Sequence, residues 1–226
     1  MHTIPIRPFA ALKLATLTVL ALVLLLLNGC HWVGERGNGK IVTDSRQIPA
    51  FTSIEADGAY EVTWSTGDPK FSVTTDENLL RYIRADVDDD KLKIEWTRPL
   101  KGTRGIKIRI ASPTLRRVTL NGAVRFAGAN LSGPAFYLEA NGATKVTLEG
   151  NVNAMSAEMN GASRLNADSL VTRATELSIS GAGRGEVNAT DVLKVNISGA
   201  GKVTYSGNPK TVDKSISGAG SVRKRD

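Results

Sequence analysis

From Ile41 onward, apolar and polar residues alternate in short runs. Tyr60, Val62 and Trp64 interleave with Glu61 and Thr63. Leu92, Ile94 and Trp96 stand against Lys93 and Glu95, and Ile106, Ile108 and Ile110 against Lys107 and Arg109. A period of two, carried by β-branched and aromatic residues, predicts strands with one buried face. Turns fall at Gly67-Asp68-Pro69 and Asp88-Asp89-Asp90. One stretch, residues 77–84 (ENLLRYIR), carries helical spacing through Leu79, Leu80 and Ile83. It reads as one or two helical turns or a tight corner, with Asp76 placed to cap the first turn.

In the second half the alternation locks onto a repeated phrase. It reads NGAVRF at Asn121, NGATKV at Asn141, NGASRL at Asn160, SGAGRGEV at Ser180, SGAGKV at Ser198 and SGAGSV at Ser217. The glycines are spaced 20, 19, 20, 18 and 19 residues apart. A near-constant period of this size marks a solenoid. Two residues before each glycine stand Leu120, Ala140, Met159, Ile179, Ile197 and Ile216. Four before stand Val118, Leu138, Ala157, Leu177, Val195 and Lys214, and four after come Phe126, Val146, Leu165, Gly185, Val203 and Val222. Residues two apart share a face of a strand, so these columns point inward together.

Each unit therefore reads as strand, Gly-Ala corner, strand and variable polar link, such as Gly150-Asn151-Val152-Asn153 or Ser206-Gly207-Asn208-Pro209. Glycine tolerates the positive φ of such a corner, and alanine is expected to suit a crowded bend. The expected fold is all-β, a parallel β-helix with a period of about 19–20 residues over 115–226 and a more degenerate β region over 41–114. Gly58, in DGAYEV, lies 64 residues before Gly122, close to three periods. The first half is thus either further coils or a sheet packed on the end of the stack. Lys214 replaces an apolar residue in the last coil, as expected of a cap against end-to-end association.

The N-terminus changes the picture from fold to location. Residues 1–29 read as a signal segment, with Arg7 and Lys13 before an apolar run at 14–27 that is short for a membrane span. The run ends in Leu27-Asn28-Gly29-Cys30, and Cys30 is the only cysteine. This resembles a bacterial lipobox and marks Cys30 as the expected lipidation site, with a lipid anchor such as palmitate. By resemblance to enteric sorting, His31 after it favours the outer membrane. Residues 30–40, glycine-rich and aperiodic, read as a flexible tether.

Charge and inventory then exclude chemistry. The chain carries 29 Lys and Arg against 22 Asp and Glu, a formal +7 that falls to +5 without residues 1–29. Spread along the chain, so modest an excess does not argue for nucleic acid, and weak attraction to anionic lipid or envelope polysaccharide is the expected consequence. The basic tail, Arg223-Lys224-Arg225, reads as a frayed, solvated terminus. With Cys30 acylated and His31 the sole histidine of the mature chain, Cys/His metal sites and Ser–His triads have no parts. No cofactor is expected.

The ordered set GNGK, Phe51-Thr52-Ser53-Ile54, DGAYEV, Asp76-Glu77-Asn78-Leu79, the Asp-rich turn before KLKIEW, and the NGA and SGAG phrases resembles the GIN-domain family over about residues 38–222. These are bacterial envelope proteins described as auto-transporter adhesin head domains. The resemblance implies a β-helical head without established catalytic residues. This chain departs from it in carrying Asn in its first three phrases.

The expected function is a non-enzymatic envelope lipoprotein that displays a β-helical head for binding, adhesion or surface architecture, on whichever side of the membrane. The rivals are a polysaccharide-active β-helix enzyme, for which Glu139 and Glu158 would stack one coil apart, and a periplasmic stress or signalling component. Asp86, Asp88, Asp89 and Asp90 are better read as a solvated hairpin turn than as a calcium site. The Asn121/Asn141/Asn160 and Ser180/Ser198/Ser217 column reads as a structural ladder before it reads as a ligand stripe. Trp64 and Trp96 fall on core faces, and Trp32 on the membrane interface.

Overall fold

The computed structural model describes residues 34–225. The expectations for the signal segment, Cys30, His31 and Trp32 lie outside these residues. The strands, in chain order, are β1 (Glu35–Arg36), β2 (Ile41–Arg46), β3 (Ser53–Gly58), β4 (Glu61–Thr66), β5 (Lys70–Asp76), β6 (Ile83–Asp88), β7 (Lys91–Trp96), β8 (Leu100–Lys101), β9 (Lys107–Ser112) and β10 (Arg117–Gly122). Then come the long repeats β11 (Arg125–Gly142), β12 (Lys145–Gly161), β13 (Arg164–Gly181) and β14 (Arg184–Gly199), followed by β15 (Lys202–Ser206), β16 (Thr211–Ser217) and β17 (Ser221–Lys224). A 3-10 helix spans Glu77–Tyr82.

Strands β10 to β17 stack in parallel, each coil on its predecessor, as the period requires. The inward columns are buried from the first coil to the fifth, while Ile216 and Lys214 of the last coil are exposed. Lys214 lays its ammonium 5.7 Å from the Tyr205 ring centre, closing the end with a charge. The link at 150–153 is not a loop, although residues 207–210, between β15 and β16, form one. Residues 150–152 pair in register with 131–133 below and 170–172 above, and Leu131, Val152 and Leu170 are buried. A register shift, as between Gly128 and Leu131, turns the strand there without breaking the ladder. Thr172 and Thr175, two of the buried polar residues, hydrogen-bond to each other at 2.6 Å, and the Thr172 hydroxyl donates to the Asn188 carbonyl at 2.8 Å.

The N-terminal region is both of the things the sequence left open. β3 lies directly beneath β10, with Gly58 opposite Gly122, and β4 lies beneath β11. The two glycines are therefore adjacent rungs, and the 64 residues between them are an excursion rather than three periods. β7 and β9 add a further parallel rung under β3 and β4. Antiparallel strands then finish this end: β6 on β7, β5 on β9 and β2 on β5. The β6–β7 hairpin turns at Asp89 and Asp90, both at positive φ (46° and 64°), as the Asp-rich stretch predicted. Trp64 is buried and donates its Nε1 hydrogen to Ser112 Oγ at 2.8 Å, whereas Trp96 is half-buried against Tyr60.

Four local expectations are corrected. The helix is 3-10 and stops at Tyr82, because Ile83 is drawn into β6. Asp76 does not cap it. Its buried carboxylate accepts hydrogen bonds from the Gly39 N–H at 2.7 Å and from the Thr103 N–H and hydroxyl, both at 2.8 Å. That same carboxylate corrects the tether: β1 pairs β8, and residues 38–40 are tied to the 3-10 segment through Asn78 and Glu77. Finally, the basic tail is anchored rather than frayed. β17 extends the stack on β15, and Arg225 bridges Asp168 and Glu186 at 2.5 Å each.

Candidate functional site

The repeated corner explains itself at the level of atoms. At Gly142 φ is 105°, and a Cβ there would sit 2.6 Å from the carbonyl oxygen of Gly122, the glycine one rung below. Gly161, Gly181, Gly199 and Gly218 repeat the arrangement. That oxygen is also the acceptor for the next amide, since Ala143 N donates to Gly122 O at 2.9 Å, as Ala162 N does to Gly142 O. Only a residue without a side chain lets the corner close on its own ladder bond.

The alanines are not in the crowd. Ala59, Ala123, Ala143, Ala162, Ala182 and Ala200 all face solvent. The crowded position is one further on, where Tyr60, Val124, Thr144, Ser163, Gly183 and Gly201 shrink along the stack. The shrinkage is compensated. A Cβ at Gly201 would lie 2.9 Å from Ile197 Cγ2, so the SGAG phrases trade corner bulk for a β-branched residue two before the glycine. The Tyr60 hydroxyl at the bottom of this column has no hydrogen-bond partner among the described residues. Burial, then the negative charges of Asp57 and Glu95, push its pKa well above the usual phenol range.

Because the corner turns with methyl groups outward, it leaves a groove of ≈ 440 Å³ floored by Ala59, Ala123, Ala143 and Ala162. The amide column lies outside this groove, on the face before the corner. Asn121 Nδ2 donates to Asp57 Oδ1, Asn141 Nδ2 to Asn121 Oδ1 at 2.9 Å, and Asn160 Nδ2 to Asn141 Oδ1 at 2.8 Å. The ladder reading of this column holds for its Asn half; Ser180, Ser198 and Ser217 continue it as hydroxyls, in register. The basic wall of the groove was missed in the sequence. Three residues after each glycine stand Arg125, Lys145 and Arg164, which line the groove, and then Arg184 and Lys202, which continue the row beyond it; the five are register partners on successive coils and all exposed. Below Arg125 the same row continues through Glu61 to Lys107. The signal was in the phrases themselves, each of the first five with Arg or Lys at that place.

The other predicted sites are dispersed. Glu139 and Glu158 are register partners two residues before the amide column, and Glu139 accepts a hydrogen bond from Asn141 Nδ2 at 2.9 Å. Among the described residues no group of three or more His, Cys, Asp or Glu side chains is placed to hold a metal ion. Nor does any helix there have the length and apolarity to cross a membrane.

Residues 50–209 match the family model described as "Putative auto-transporter adhesin, head GIN domain". The chain belongs to this family. The GIN-domain fold is seen again in solved structures. A "putative adhesin" from Bacteroides fragilis superposes with a TM-score of 0.71 at 20% identity, covering 85% of this chain and 100% of that one. Another, from Parabacteroides merdae, gives 0.53 at 20% identity over 85% and 99%. A "putative lipid binding protein" from Parabacteroides distasonis gives 0.50 at 23% identity, again over 85% and 99%. At these identities the likeness speaks for the fold. No curated protein matches the chain in sequence. The GIN-domain match spans the rungs from β3 to β15 and so takes in the whole groove.

Proposed function

We propose that this chain is a non-enzymatic head domain of the cell envelope that binds a surface ligand along its Gly-Ala groove, held to the membrane by lipid on Cys30. The observation that supports it best is the groove itself: open along its length, rigid in its backbone and lined by long, exposed side chains. Such a surface suits an extended ligand. The adhesin description of the family agrees with this reading. For the anchor, support comes from the lone cysteine after an apolar run, and His31 favours the outer membrane. Partners are then the membrane, through the lipid, and an envelope polymer or surface ligand, without nucleic acid.

The enzyme reading is weaker on geometric grounds. Glu139 and Glu158 lie one rung apart, a strand spacing of about 4.8 Å, close to the separation a retaining glycosidase uses. They project side by side from one face, however, and a bond to be cleaved must sit between two carboxyls that flank it. Two experiments test the proposal. Cys30→Ser should move the protein out of the membrane fraction and abolish incorporation of labelled palmitate; retention of both would reject the anchor. Filling the groove with Ala143→Trp, an outward and solvated position, should abolish binding of the chain to isolated cell-envelope polymer. Binding at wild-type strength would reject the groove, and polymer cleavage lost in Glu139→Gln would reject the non-enzymatic reading.

A further inference from the structure

We infer that the row Arg125, Lys145, Arg164, Arg184 and Lys202 is a rail for a linear acidic polysaccharide, laid in single file along the alanine groove. This deepens the proposed function and rests on its reading of the groove as the binding face. Five cations on consecutive rungs, each about 4.8 Å from the next, make a line about 19 Å long. The line is rigid at its base. The N–H groups of Lys145, Arg164, Arg184 and Lys202 each donate to a carbonyl one rung below, at 2.9–3.0 Å.

The row is also uncompensated. Among the described residues Lys145, Arg164, Arg184 and Lys202 form no ion pair, and Arg125 has only Glu61 at 3.7 Å. The nearest acid on the same strand face, Glu186, is taken up by Arg225. Like charges stacked on neighbouring strands destabilise a sheet. A linear anion neutralises them at the pitch at which they stand.

What distinguishes a polysaccharide from other anions is the rest of the groove. A sugar unit with its glycosidic link advances by nearly one rung, so successive acid groups meet successive cations. The methyl floor accepts the ring faces, and the Arg and Lys side chains that line it offer N–H groups to sugar hydroxyls as well as to acid groups. Glu139 and Glu158, on the face before the corner, repel acid groups and favour their placement on the cationic side. A lipid surface would meet a plane of charge and has no use for a groove beside a single row. A nucleic-acid duplex is too wide to lie in it.

The test uses the chain in detergent with oligogalacturonates of increasing length, neutral dextran, mixed phosphatidylglycerol vesicles and a DNA duplex as probes, read by calorimetry. Oligogalacturonate should bind with an affinity that rises with length to about five sugars, the number of rungs in the row, and falls steeply with salt. Lys145→Gln/Arg164→Gln/Arg184→Gln should weaken it by about tenfold or more. The charge-matched Lys70→Gln/Lys101→Gln/Arg116→Gln should leave it unchanged, with the off-row variant melting like wild type and the row variant melting no lower. Equal binding of dextran, equal loss in the off-row variant, or row-dependent binding of vesicles or DNA in place of oligogalacturonate would overturn the inference. If Ala143→Trp abolishes binding to envelope polymer while the row variant retains it, the groove stands and the acidic ligand falls. If neither matters, the groove reading falls as well.

Discussion

At the scale of single residues, the corner glycine is constrained twice over, by its φ and by the carbonyl stacked beneath it. Gly142 and Gly105 both sit at positive φ, 105° and 77°, but only Gly142 has a carbonyl where its Cβ would go; nothing lies within 4 Å at Gly105. Gly105→Ala should therefore cost about 1–2 kcal/mol, the backbone term alone. Gly142→Ala adds the clash and should cost about 3–5 kcal/mol, read from denaturant midpoints. Equal losses would show that φ, and not the stacked carbonyl, demands glycine. The phrase glycines were legible because the repeat displays them six times. Asp76 occurs once, and its partners, Gly39 and Thr103, come from distant segments, so no local pattern could reveal its role.

That carboxylate also sets a pH dependence. Burial alone would raise the Asp76 pKa, but the hydrogen bonds from Thr103 and Gly39 outweigh it and hold the value below the usual carboxylate range. Its contribution is therefore fully present above about pH 4, the ordinary unfolded value, and is lost as pH falls through the lower folded one. Asp76→Asn should flatten the acid limb of the stability profile. It should also loosen residues 38–40, seen as faster amide exchange at Gly39. An unchanged acid limb would remove Asp76 from the account.

At the scale of the rung, burial decides what a substitution does. Ile197 and Ile216 occupy the same column one coil apart, yet Ile197 is 3% exposed and Ile216 is 42% exposed. Ile197→Asp places an unpaired charge in the core and should abolish the cooperative melt. Ile216→Asp should change stability by less than about 1 kcal/mol and reduce any end-to-end association at high concentration, visible in sedimentation. The inward columns were legible from period alone. The links were not, because Gly150 and Asn151 read as turn residues, and their pairing depends on neighbours 19 or 20 positions away. The basic row stands in each of the first five phrases, but outward positions bury no apolar surface and so leave no mark in the hydrophobic period.

At the scale of the whole molecule, the stack behaves as a one-dimensional array. Removing residues 143–161 joins Gly142 to Ala162, positions whose register partners are Gly161 and Ala143. The shortened chain should keep its β-sheet circular dichroism, melt earlier and lose one cation from the row, Lys145. A chain that fails to fold would mean that β12 supplies something beyond one rung. Family and architecture were readable before the structure, since both rest on order and period. The antiparallel finish at the N-terminal end was not, because β2, β5, β6 and β9 carry the same alternation whether they pair parallel or antiparallel.

The adjacency of Gly58 and Gly122 bears on the order in which the molecule assembles. Neighbouring coils of the repeat close over about 20 residues, whereas β3 meets β10 only across 64. Loop closure grows slowly with length, so this difference amounts to about 1 kcal/mol, enough to bias the route without blocking it. The repeats should form first and offer the edge of β10 as a template on which the N-terminal strands are laid last. Conservative core substitutions in β13 would then slow refolding, and those in β3 would mainly speed unfolding. A protein built by stacking would, on this account, be finished at the end from which its chain begins.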